Sequence, residues 1–424
     1  MTLALRGGTV VTAEGDVRAD VLVDGEVIVA IGASLRGDTE LDATGCHVLP
    51  GFVDLHTHLR EPGREEAETI ATGSRAGALG GYTALVAMPN TDPAQDSVST
   101  VEYVRAQGRA AGLVEVVPSG CITVGRKGER LAPLADLAAA GVRVFTDDGN
   151  GVQDASLMRR AMLVARDLGV VLAQHCEVSS LTNSAVMDEC ACSGELGLPG
   201  WPSVAEELMV QRDIDLCRET RSRIHFLHLS TARSVALVRA AKSEGLAVTA
   251  EVAPHHLLLD HERLRSFDPV FKVNPPLRSA ADAAALREGL RDGTIDAVAT
   301  DHAPHPAWNK EVPLDEASPG MLGLHAALGV VGAALSPSPS DIARMMSTAP
   351  ARIAGVSSRH GVLPSVGGAA HVCVADLSAR WIGGERPTGS RSANDPWVGV
   401  PLVGTVRHTV YGGRATVVDG EVQR

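Results

Sequence analysis

The chain has 424 residues, of which 45% are hydrophobic and 21% charged, values typical of a soluble globular protein. Lys and Arg number 38 against 51 Asp and Glu, which gives a net charge of -13 and excludes the basic surfaces of nucleic-acid-binding proteins. No apolar run reaches the roughly 18 residues that a membrane span needs, so we expect no membrane association. The same negative charge would repel small anions, and an anionic substrate would need its own cation in the site.

The N-terminal residues and the cysteines both predict a cytoplasmic protein. The first residues, MTLALRGGTVVTAEGD, contain no basic region followed by an apolar stretch of signal-peptide length. The cysteines are odd in number and scattered, which is typical of reduced thiols. Cys190 and Cys192 form a C-x-C without a second pair, so buried or surface thiols are favoured over a structural metal there. The seven cysteines are Cys46, Cys121, Cys176, Cys190, Cys192, Cys217 and Cys373.

Both ends of the chain are rich in short β-segments separated by Gly and Asp turns. The first fifty residues contain LALRGGTVVT, ADVLVDG and EVIVAIG, and the last fifty contain GGAAHVCVADL and TVRHTVYGGRATVVDGEV. We therefore predict one small β-sandwich built from residues 1–49 and 363–424, with the rest of the chain inserted between its two parts.

The middle of the chain, residues 50–362, alternates apolar, β-branched runs with segments of helical period. Helices are predicted for EEAETIATGSRAGALGG, DASLMRRAMLVARDLG and ARSVALVRAAKSEG. This alternation is typical of βα units, and eight such units predict an α/β protein with a TIM (β/α)8 barrel. The eight runs are HVLPGFVDLH, TALVAMP, EVVPSGCIT, VRVFTDD, VVLAQHC, RIHFLHL, AVTAEVAPHH and IDAVATDH.

Polar residues close five of these runs, at the strand ends where the active site of a TIM barrel lies. His56 and His58 end the first run, and strand residues i and i+2 point to the same face, so both imidazoles would project together. The others end the fourth, fifth, sixth and eighth runs. They are Asp147 and Asp148, His175, His228, and Asp301 with His302.

Imidazole and carboxylate ligands predict a divalent metal of the zinc type. Four histidines and two aspartates exceed the needs of one tetrahedral site, so we predict two metals bridged by an aspartate. Spacing leaves open which of Asp147 and Asp148 bridges them. Asp301 is our predicted general acid/base. The alternative, a helix cap at Asp301, is disfavoured because His302 and His305 crowd the same turn.

Taken in order, these motifs resemble the amidohydrolase superfamily and, within it, the class I dihydroorotases. The most specific stretch is GFVDLHTHLREPG, followed by AETIATG and GGYTALVAMPNTDP. Further matches follow in the family's order, so the resemblance spans nearly the whole chain. They are FTDDG, AQHCE, FLHLS, VTAEVAPHHL, KVNPPLR and ATDHAPH.

The resemblance implies a role for each metal-binding candidate. His56, His58 and Asp301 would hold one Zn²⁺, and His175 and His228 the other. Asp148 would be the bridge, and the absence of lysine in VRVFTDDG makes a lysine-dependent hydantoinase less favoured.

The resemblance also implies the substrate contacts. Arg60 would bind a carboxylate through its planar guanidinium, which can donate two parallel hydrogen bonds. The alternative is that Arg60 is a free surface arginine. The remaining positions are weaker individually because Asn commonly caps turns. They are Asn90, Asn274 and His305, with the backbone amide and carbonyl of Pro319 and Gly320.

Two features depart from the family's pattern, and two further residues have no assigned role. The loop HPAWNKEVPLDEASPG after the eighth run is unusual, and His325 stands where an acidic residue is expected. His255 and His256 have no assigned role, and we expect them to support the ligands or the structure.

The implied reaction is the reversible cyclisation of N-carbamoyl-L-aspartate to L-dihydroorotate, a step of pyrimidine synthesis. In the hydrolytic direction a metal-bridging hydroxide would attack the ring amide, and Asp301 would move the proton to the leaving nitrogen. Two alternatives remain: a hydantoinase or allantoinase on the same fold, and a non-catalytic subunit that scaffolds aspartate transcarbamoylase. We expect a homodimer on general grounds, with association with aspartate transcarbamoylase as an open alternative.

Overall fold

A computed structural model describes residues 2–423 and is an α/β structure. The fold class predicted from the alternating pattern is therefore confirmed at the level of α/β. Among the described residues, no helix combines the length and the apolar character that crossing a membrane requires.

The two ends of the chain form one nine-stranded sheet, in the order β19-β18-β17-β16-β5-β1-β2-β3, with β4 paired to β1. The N-terminal and C-terminal parts meet where β5 and β16 pair antiparallel, with Val48 opposite Val374. The strands are β1 (Thr2–Thr12), β2 (Gly15–Asp24), β3 (Val27–Gly32), β4 (Thr39–Asp42), β5 (His47–Pro50), β16 (Val372–Ile382), β17 (Pro401–Tyr411), β18 (Arg414–Val418) and β19 (Glu421–Val422).

Each of the eight apolar runs contains a parallel strand, and these strands form two sheets, β6-β7-β8 and β15-β14-β13-β10-β9. Isolated parallel bridges, Gly120 to Phe145 and Thr57 to His302, connect the two sheets at both of their junctions. A separate short pair joins β11 (Met187–Asp188) to β12 (Gly200–Trp201). The strands are β6 (Phe52–Thr57), β7 (Tyr82–Ala87), β8 (Glu115–Pro118), β9 (Val144–Thr146), β10 (Val171–Gln174), β13 (Ile224–Phe226), β14 (Val248–Val252) and β15 (Ala297–Val298).

The first apolar run belongs to both parts of the structure. His47–Pro50 is β5 of the terminal sheet, whereas Phe52–Thr57 is β6 of the parallel sheet. Gly51 lies between them, and a Cβ at this position would come within 2.3 Å of the Thr83 side chain. Only glycine allows this close approach of the backbone to β7.

Helices lie between the parallel strands, and their ends follow local capping chemistry. The first predicted helix begins at Ile70, later than the sequence pattern suggested. Thr69 is its N-cap, because the Thr69 side chain accepts a hydrogen bond from the Thr72 amide. The other two predicted helices correspond to α4 and α7. The α-helices are α1 (Ile70–Leu79), α2 (Val98–Ala111), α3 (Leu134–Ala139), α4 (Ala155–Leu168), α5 (Ala191–Leu196), α6 (Val204–Thr220), α7 (Ala232–Ser243), α8 (Pro254–Leu258), α9 (Ala280–Arg291), α10 (Ala327–Leu335), α11 (Pro339–Ala343) and α12 (Ala349–Ala354).

The parallel strands are buried on both faces, as parallel sheets with helical crossovers require. Phe52, Leu85 and Phe145 lie on the face that packs against the helices. Alternate residues form a second cluster, which is contributed by both sheets. Its strand members are mostly small, and include Val53, Leu55, Ala84, Val86, Val144, Ala173 and Ala297. Because the strands run parallel, their carboxyl ends lie at one shared edge.

A buried histidine joins the parallel sheet to the terminal sheet. His360 Nε2 lies 2.7 Å from Glu115 Oε2 on β8, and its Nδ1 lies 3.1 Å from Thr83 Oγ1 on β7. The ring stacks on His371, just before β16, with centroids 4.2 Å apart. Although partial burial raises the pKa of Glu115, hydrogen bonds from His360 and Arg359 lower it to about 2.

We predict that Glu115→Gln lowers the urea midpoint of unfolding at pH 7, by roughly 1 kcal/mol of stability, because a charge-assisted hydrogen bond is weakened. The carboxylate contributes its full stability above its ordinary pKa of 4.5, and this contribution disappears as the pH falls through about 2. The difference from wild type should therefore shrink as the pH is lowered from 4.5 to about 2. Glu102→Gln, which alters an exposed pair with Arg105, is the matched control and should change little. Equal midpoints for Glu115→Gln and wild type at pH 7 would contradict the prediction.

Candidate metal centre and substrate cavity

Six side chains predicted to bind metal converge at the carboxyl ends of the parallel strands. Each lies at the end of a different strand, except that His56 lies in β6 and His58 directly follows it, two positions on, where alternate residues face the same side. All six are at most 6% exposed. They are His56, His58, Asp148, His175, His228 and Asp301.

Asp148 lies at the middle of this cluster, which we call the His/Asp cluster. Its Oδ1 is 3.4 Å from His56 Nε2 and 3.5 Å from both His175 Nδ1 and His228 Nε2. Its Oδ2 is 3.5 Å from His58 Nε2. The carboxylate therefore faces four imidazoles at once.

Asp301 faces the same ring nitrogens of His56 and His58 that Asp148 faces. Its Oδ1 is 3.2 Å from His58 Nε2 and 3.5 Å from His56 Nε2. Burial raises the pKa of Asp301, but the charges and hydrogen bonds of His56 and His58 outweigh burial and hold that pKa well below its ordinary value. Asp301 is therefore an ionised acceptor at neutral pH.

The neighbouring aspartate, Asp147, faces away from the cluster. Its Oδ1 accepts hydrogen bonds from the amides of Ile122 at 2.9 Å and Thr123 at 3.0 Å. Asp147 thus secures the segment after β8, and Asp148 is the residue that the structure brings among the histidines.

The residues of the cluster fit a bound metal ion. Two groups of three have ligand atoms within 4.8 Å of one another: His56 with His58 and Asp301, and His56 with Asp148 and His228. His56 Nε2 and Asp148 Oδ1 are buried without a hydrogen-bond partner. Buried polar atoms are rarely left unsatisfied, and a cation between these two atoms would satisfy both.

A buried glutamate that sequence reasoning missed orients His56. Glu251 Oε1 on β14 accepts from His56 Nδ1 at 2.9 Å, and Oε2 accepts from His225 Nε2 at 3.0 Å. Burial raises the pKa of Glu251, but these two hydrogen bonds lower it to about 2. A proton held on Nδ1 leaves the Nε2 lone pair of His56 directed at the cluster, as metal-binding histidines require. Glu251 lies within the VTAEVAPHHL motif, and nothing in its spacing distinguished it.

Two further ligand candidates have partners on their outer ring nitrogens. Glu177 Oε2 lies 2.9 Å from His175 Nε2, which turns Nδ1 toward the cluster. Burial lowers the pKa of His175, but hydrogen bonds to Asp148 and Glu177 raise it to about 10. Asn90 Oδ1 lies 2.9 Å from His58 Nδ1, so this predicted substrate residue also orients a ligand candidate.

Asp54, also missed from the sequence, ties β6 to the segment that precedes Asp301. Its two oxygens accept hydrogen bonds of 2.7 Å from the Thr300 amide and hydroxyl. Asp301 itself has a φ of 46° and His228 a φ of 30°, conformations that non-glycine residues rarely adopt. Such strain persists where the surroundings over-determine the backbone, as at functional sites.

A cavity of about 280 Å³ opens beside the His/Asp cluster. Its lining includes Asp148, Asp301 and a second cation that was not predicted, Arg64. All of the predicted substrate residues also line this cavity. They are Arg60, Asn90, Asn274, His305, Pro319 and Gly320.

Arg60 is the buried cation of the cavity, only 6% exposed. Burial lowers its pKa to about 10, so it stays charged at neutral pH. Its Nε donates to Pro304 O at 3.1 Å, and one Nη lies 3.3 Å from His305 Nε2. Burial and then the charge of Arg60 lower the pKa of His305 to about 2, so its ring is neutral.

The backbone groups of Pro319 and Gly320 have partners within the chain. His305 Nε2 donates to Pro319 O at 2.8 Å, and the Gly320 amide donates to Lys272 O at 2.9 Å. The unusual loop before them is secured by Lys310, whose Nζ donates to Pro269 O at 2.9 Å and Lys272 O at 3.2 Å.

The residues without a predicted role lie outside the cavity lining. His325 Nε2 is 3.3 Å from Asp395 Oδ2. His255 and His256 are buried with ring centroids 4.4 Å apart, and His256 Nε2 donates to Pro275 O at 3.1 Å. All seven cysteines are free, and Cys190 caps α5.

Comparison with known proteins identifies close relatives over the whole length. The model of the family described as Dihydro-orotase-like matches residues 45–234. The dihydroorotase of Streptomyces coelicolor is 48% identical over 428 residues, which covers 99% of both chains. The dihydroorotase of Mycobacterium tuberculosis is 49% identical over 419 residues, 97% of both chains.

Solved structures show the same fold in more distant proteins. An L-hydantoinase (dihydropyrimidinase) from Arthrobacter aurescens superposes with a TM-score of 0.87 at 24% identity, over 100% of this chain and 97% of the other. A dihydropyrimidinase from Brevibacillus agri gives 0.85 at 23% identity, over 100% and 96%. The sequence relatives, with their far higher identity, decide the family: the chain belongs to the dihydroorotase family.

Proposed function

We propose that this protein is a dihydroorotase, which interconverts N-carbamoyl-L-aspartate and L-dihydroorotate. The observation that carries the proposal is a buried cation, Arg60, in the same 280 Å³ cavity as the His/Asp cluster. A small ring that bears a carboxylate can contact Arg60 and the His/Asp cluster at the same time. In a protein with a net charge of -13, an anionic substrate needs such a cation in the site.

The metal would be Zn²⁺, two per subunit, since nitrogen and carboxylate donors suit this ion. His56, His58 and Asp301 would hold one ion, His175 and His228 the other, and Asp148 would bridge them. When bound, the ions would supply a polarised carbonyl and a water acidic enough to attack near neutral pH.

The lysines of the chain support an aspartate bridge. There are four, Lys127, Lys242, Lys272 and Lys310, and none lines the cavity. Lys242 pairs with Asp296 at 2.6 Å, and Lys310 donates to backbone carbonyls. A bridging group would need to lie among the histidines, and Asp148 would fill this role.

Arg60 and its neighbours would orient the substrate. The guanidinium would pair with the ring carboxylate. His305 would add a hydrogen bond, and because its ring is neutral it does not repel the charge of Arg60. Asn90 and Asn274 would contact the polar edges of the ring. The backbone of Pro319 and Gly320 would border it on the side opposite the His/Asp cluster.

Asp301 would move the proton. In the hydrolytic direction, the attacking water loses a proton to the Asp301 carboxylate as the oxygen bonds to the ring carbonyl carbon. The bond between that carbon and the ring nitrogen then breaks, and Asp301 returns the proton to the nitrogen. Cyclisation is the same sequence reversed, with water released.

The arrangement of the parallel strands supports a closed (β/α)8 barrel as the scaffold. The bridges of Gly120 with Phe145 and of Thr57 with His302 would complete the ring. We assign residues 50–362 to this barrel, and residues 1–49 and 363–424 to a terminal β-sandwich. A cytoplasmic homodimer is the proposed form, and free cysteines support the reducing compartment.

The decisive experiment measures turnover of L-dihydroorotate, hydantoin and allantoin by purified protein whose metal content is quantified. We expect turnover of dihydroorotate, its loss on chelation and its return with Zn²⁺. Turnover of hydantoin or allantoin instead would reassign the substrate. A metal-loaded protein inert toward all three would favour a scaffolding role beside aspartate transcarbamoylase, which co-purification or size-exclusion chromatography with that enzyme would test.

Asp301→Asn should lower kcat by roughly a thousandfold, because the proton carrier is lost. The amide oxygen keeps a ligand atom in place, so metal content should stay near that of wild type. Turnover and metal content are measured on the same preparation. Near-normal turnover would refute the role of Asp301.

Arg60→Gln should raise KM for L-dihydroorotate about 10- to 100-fold, because a charge-assisted pair with the carboxylate is lost. Arg60→Lys should recover only part of the affinity, since an ammonium lacks the planar fork. Arg233→Gln, an exposed arginine on α7 paired at 3.6 Å with Glu207, is the control. An unchanged KM in Arg60→Gln would remove Arg60 from substrate binding.

A further inference from the structure

A segment of the C-terminal part leaves the terminal sheet and packs beside the substrate cavity. It lies between β16 and β17, and we call residues 388–397 the strap. Trp397 is fully buried, and its Nε1 donates to Leu322 O at 3.1 Å. Ser392 Oγ donates to Ala67 O at 2.7 Å. The strap is therefore fixed to two segments that each follow cavity-lining residues, Arg64 and Gly320.

One strap residue, Asn394, bonds to three residues that line the cavity. Its Oδ1 accepts from the His305 amide at 3.1 Å, and its Nδ2 donates to Ala303 O at 2.9 Å and Gly320 O at 3.1 Å. Asn394 is only 5% exposed and does not itself line the cavity. Its amide uses an acceptor and both donors, so it holds two separate backbone segments in one arrangement.

The two segments that Asn394 joins lie in close contact, so a shift of one changes the surroundings of the other. Gly320 has a φ of 143°, and a Cβ there would lie 2.8 Å from the Ala303 side chain and 2.9 Å from His305 Nε2. His305 in turn lies 3.3 Å from an Arg60 Nη. A displacement of the Asn394 contacts would therefore reach the groups around Arg60.

The strap is also linked, through Glu68, to the residue that follows Asp301. Glu68 accepts from the Arg391 amide at 3.0 Å and from the Ser390 hydroxyl. The other side of this carboxylate faces His302, with Glu68 Oε2 3.3 Å from His302 Nε2. His302 Nδ1 accepts from the Gly323 amide at 3.2 Å, which leaves Nε2 to donate to Glu68. This second anchor fixes the strap at the same end of the barrel.

We propose that Asn394 is a positioning residue for substrate binding, which acts through His305 and Gly320 and has no contact with the metal ligands. The inference rests on the proposed function, because it assigns His305 and Gly320 to the substrate. Removal of the Asn394 amide leaves two buried carbonyls and one amide without partners, which favours separation of the two segments. Misplaced contacts of this kind weaken substrate binding while the His/Asp cluster stays intact.

The test compares Asn394→Ala and Asn394→Asp with wild type. In Asn394→Asp the side chain keeps its shape, but the NH₂ group that donates both hydrogen bonds is replaced by an oxygen, which would face the carbonyls of Ala303 and Gly320. We expect KM for L-dihydroorotate to rise about tenfold in both variants. Because the loss is confined to binding, kcat should stay within about twofold of wild type. Metal content should be unchanged. Arg391→Gln, which changes an exposed side chain of the same strap and keeps its backbone amide, is the matched control and should keep the wild-type KM.

A double-mutant cycle with His305→Ala distinguishes positioning from general destabilisation. If Asn394 acts through His305, Asn394→Ala should change KM far less in the His305→Ala background than in wild type. The inference is overturned by an unchanged KM in Asn394→Ala, by equal effects in both backgrounds, or by a loss of bound metal.

Hydrogen–deuterium exchange tests the positioning role of Asn394 without depending on the proposed function. In Asn394→Ala and Asn394→Asp, the peptides that cover residues 303–305 and 318–322 should exchange faster, while those of β6 and β13 stay as in wild type. If wild-type protein does not turn over dihydroorotate, the proposed function fails, and faster exchange confined to these peptides still supports the positioning role. Unchanged exchange there overturns it.

Discussion

The burial of two carboxylates among four imidazoles is the constraint on which the site depends. Asp148 and Asp301 are at most 5% exposed, and an isolated carboxylate in such surroundings would be costly to ionise. The histidines around them reverse that cost, since the pKa of both aspartates lies well below its ordinary value in spite of burial. Two orphaned atoms, His56 Nε2 and Asp148 Oδ1, show that the protein groups alone leave the arrangement incomplete.

Such a cluster requires a scaffold that delivers side chains from many parts of the chain to one place. Parallel strands do this because all their carboxyl ends meet at one edge, and the six residues come from strand ends between β6 and β15. The outer ring nitrogen of His56 on β6 is then fixed by a group on another strand, Glu251 on β14. The orientation of His56 thus depends on a contact between residues that are 195 positions apart in the sequence.

The parts of this arrangement that follow from local periodicity could be predicted from the sequence. The eight apolar runs each contain a parallel strand, and the i, i+2 spacing of His56 and His58 anticipated their shared face. The family resemblance added the distinction between Asp147 and Asp148, which spacing alone left open. Glu251 and Asp54 were missed because a carboxylate inside an apolar strand has no signature until its distant partner is known.

The strap was missed for a related reason, and it changes how the two parts of the chain relate. Its sequence, with several Gly, Ser and Pro residues, is typical of a loop between two strands, and nothing local indicates that Asn394 lies beside His305. The C-terminal segment therefore does more than complete a sheet: it supplies hydrogen bonds to the wall of the substrate cavity. A domain boundary drawn at residue 363 separates two sheets, yet the cavity depends on residues from both sides of it. The terminal part is consequently expected to affect substrate binding, whereas all six members of the His/Asp cluster lie at the ends of the parallel strands.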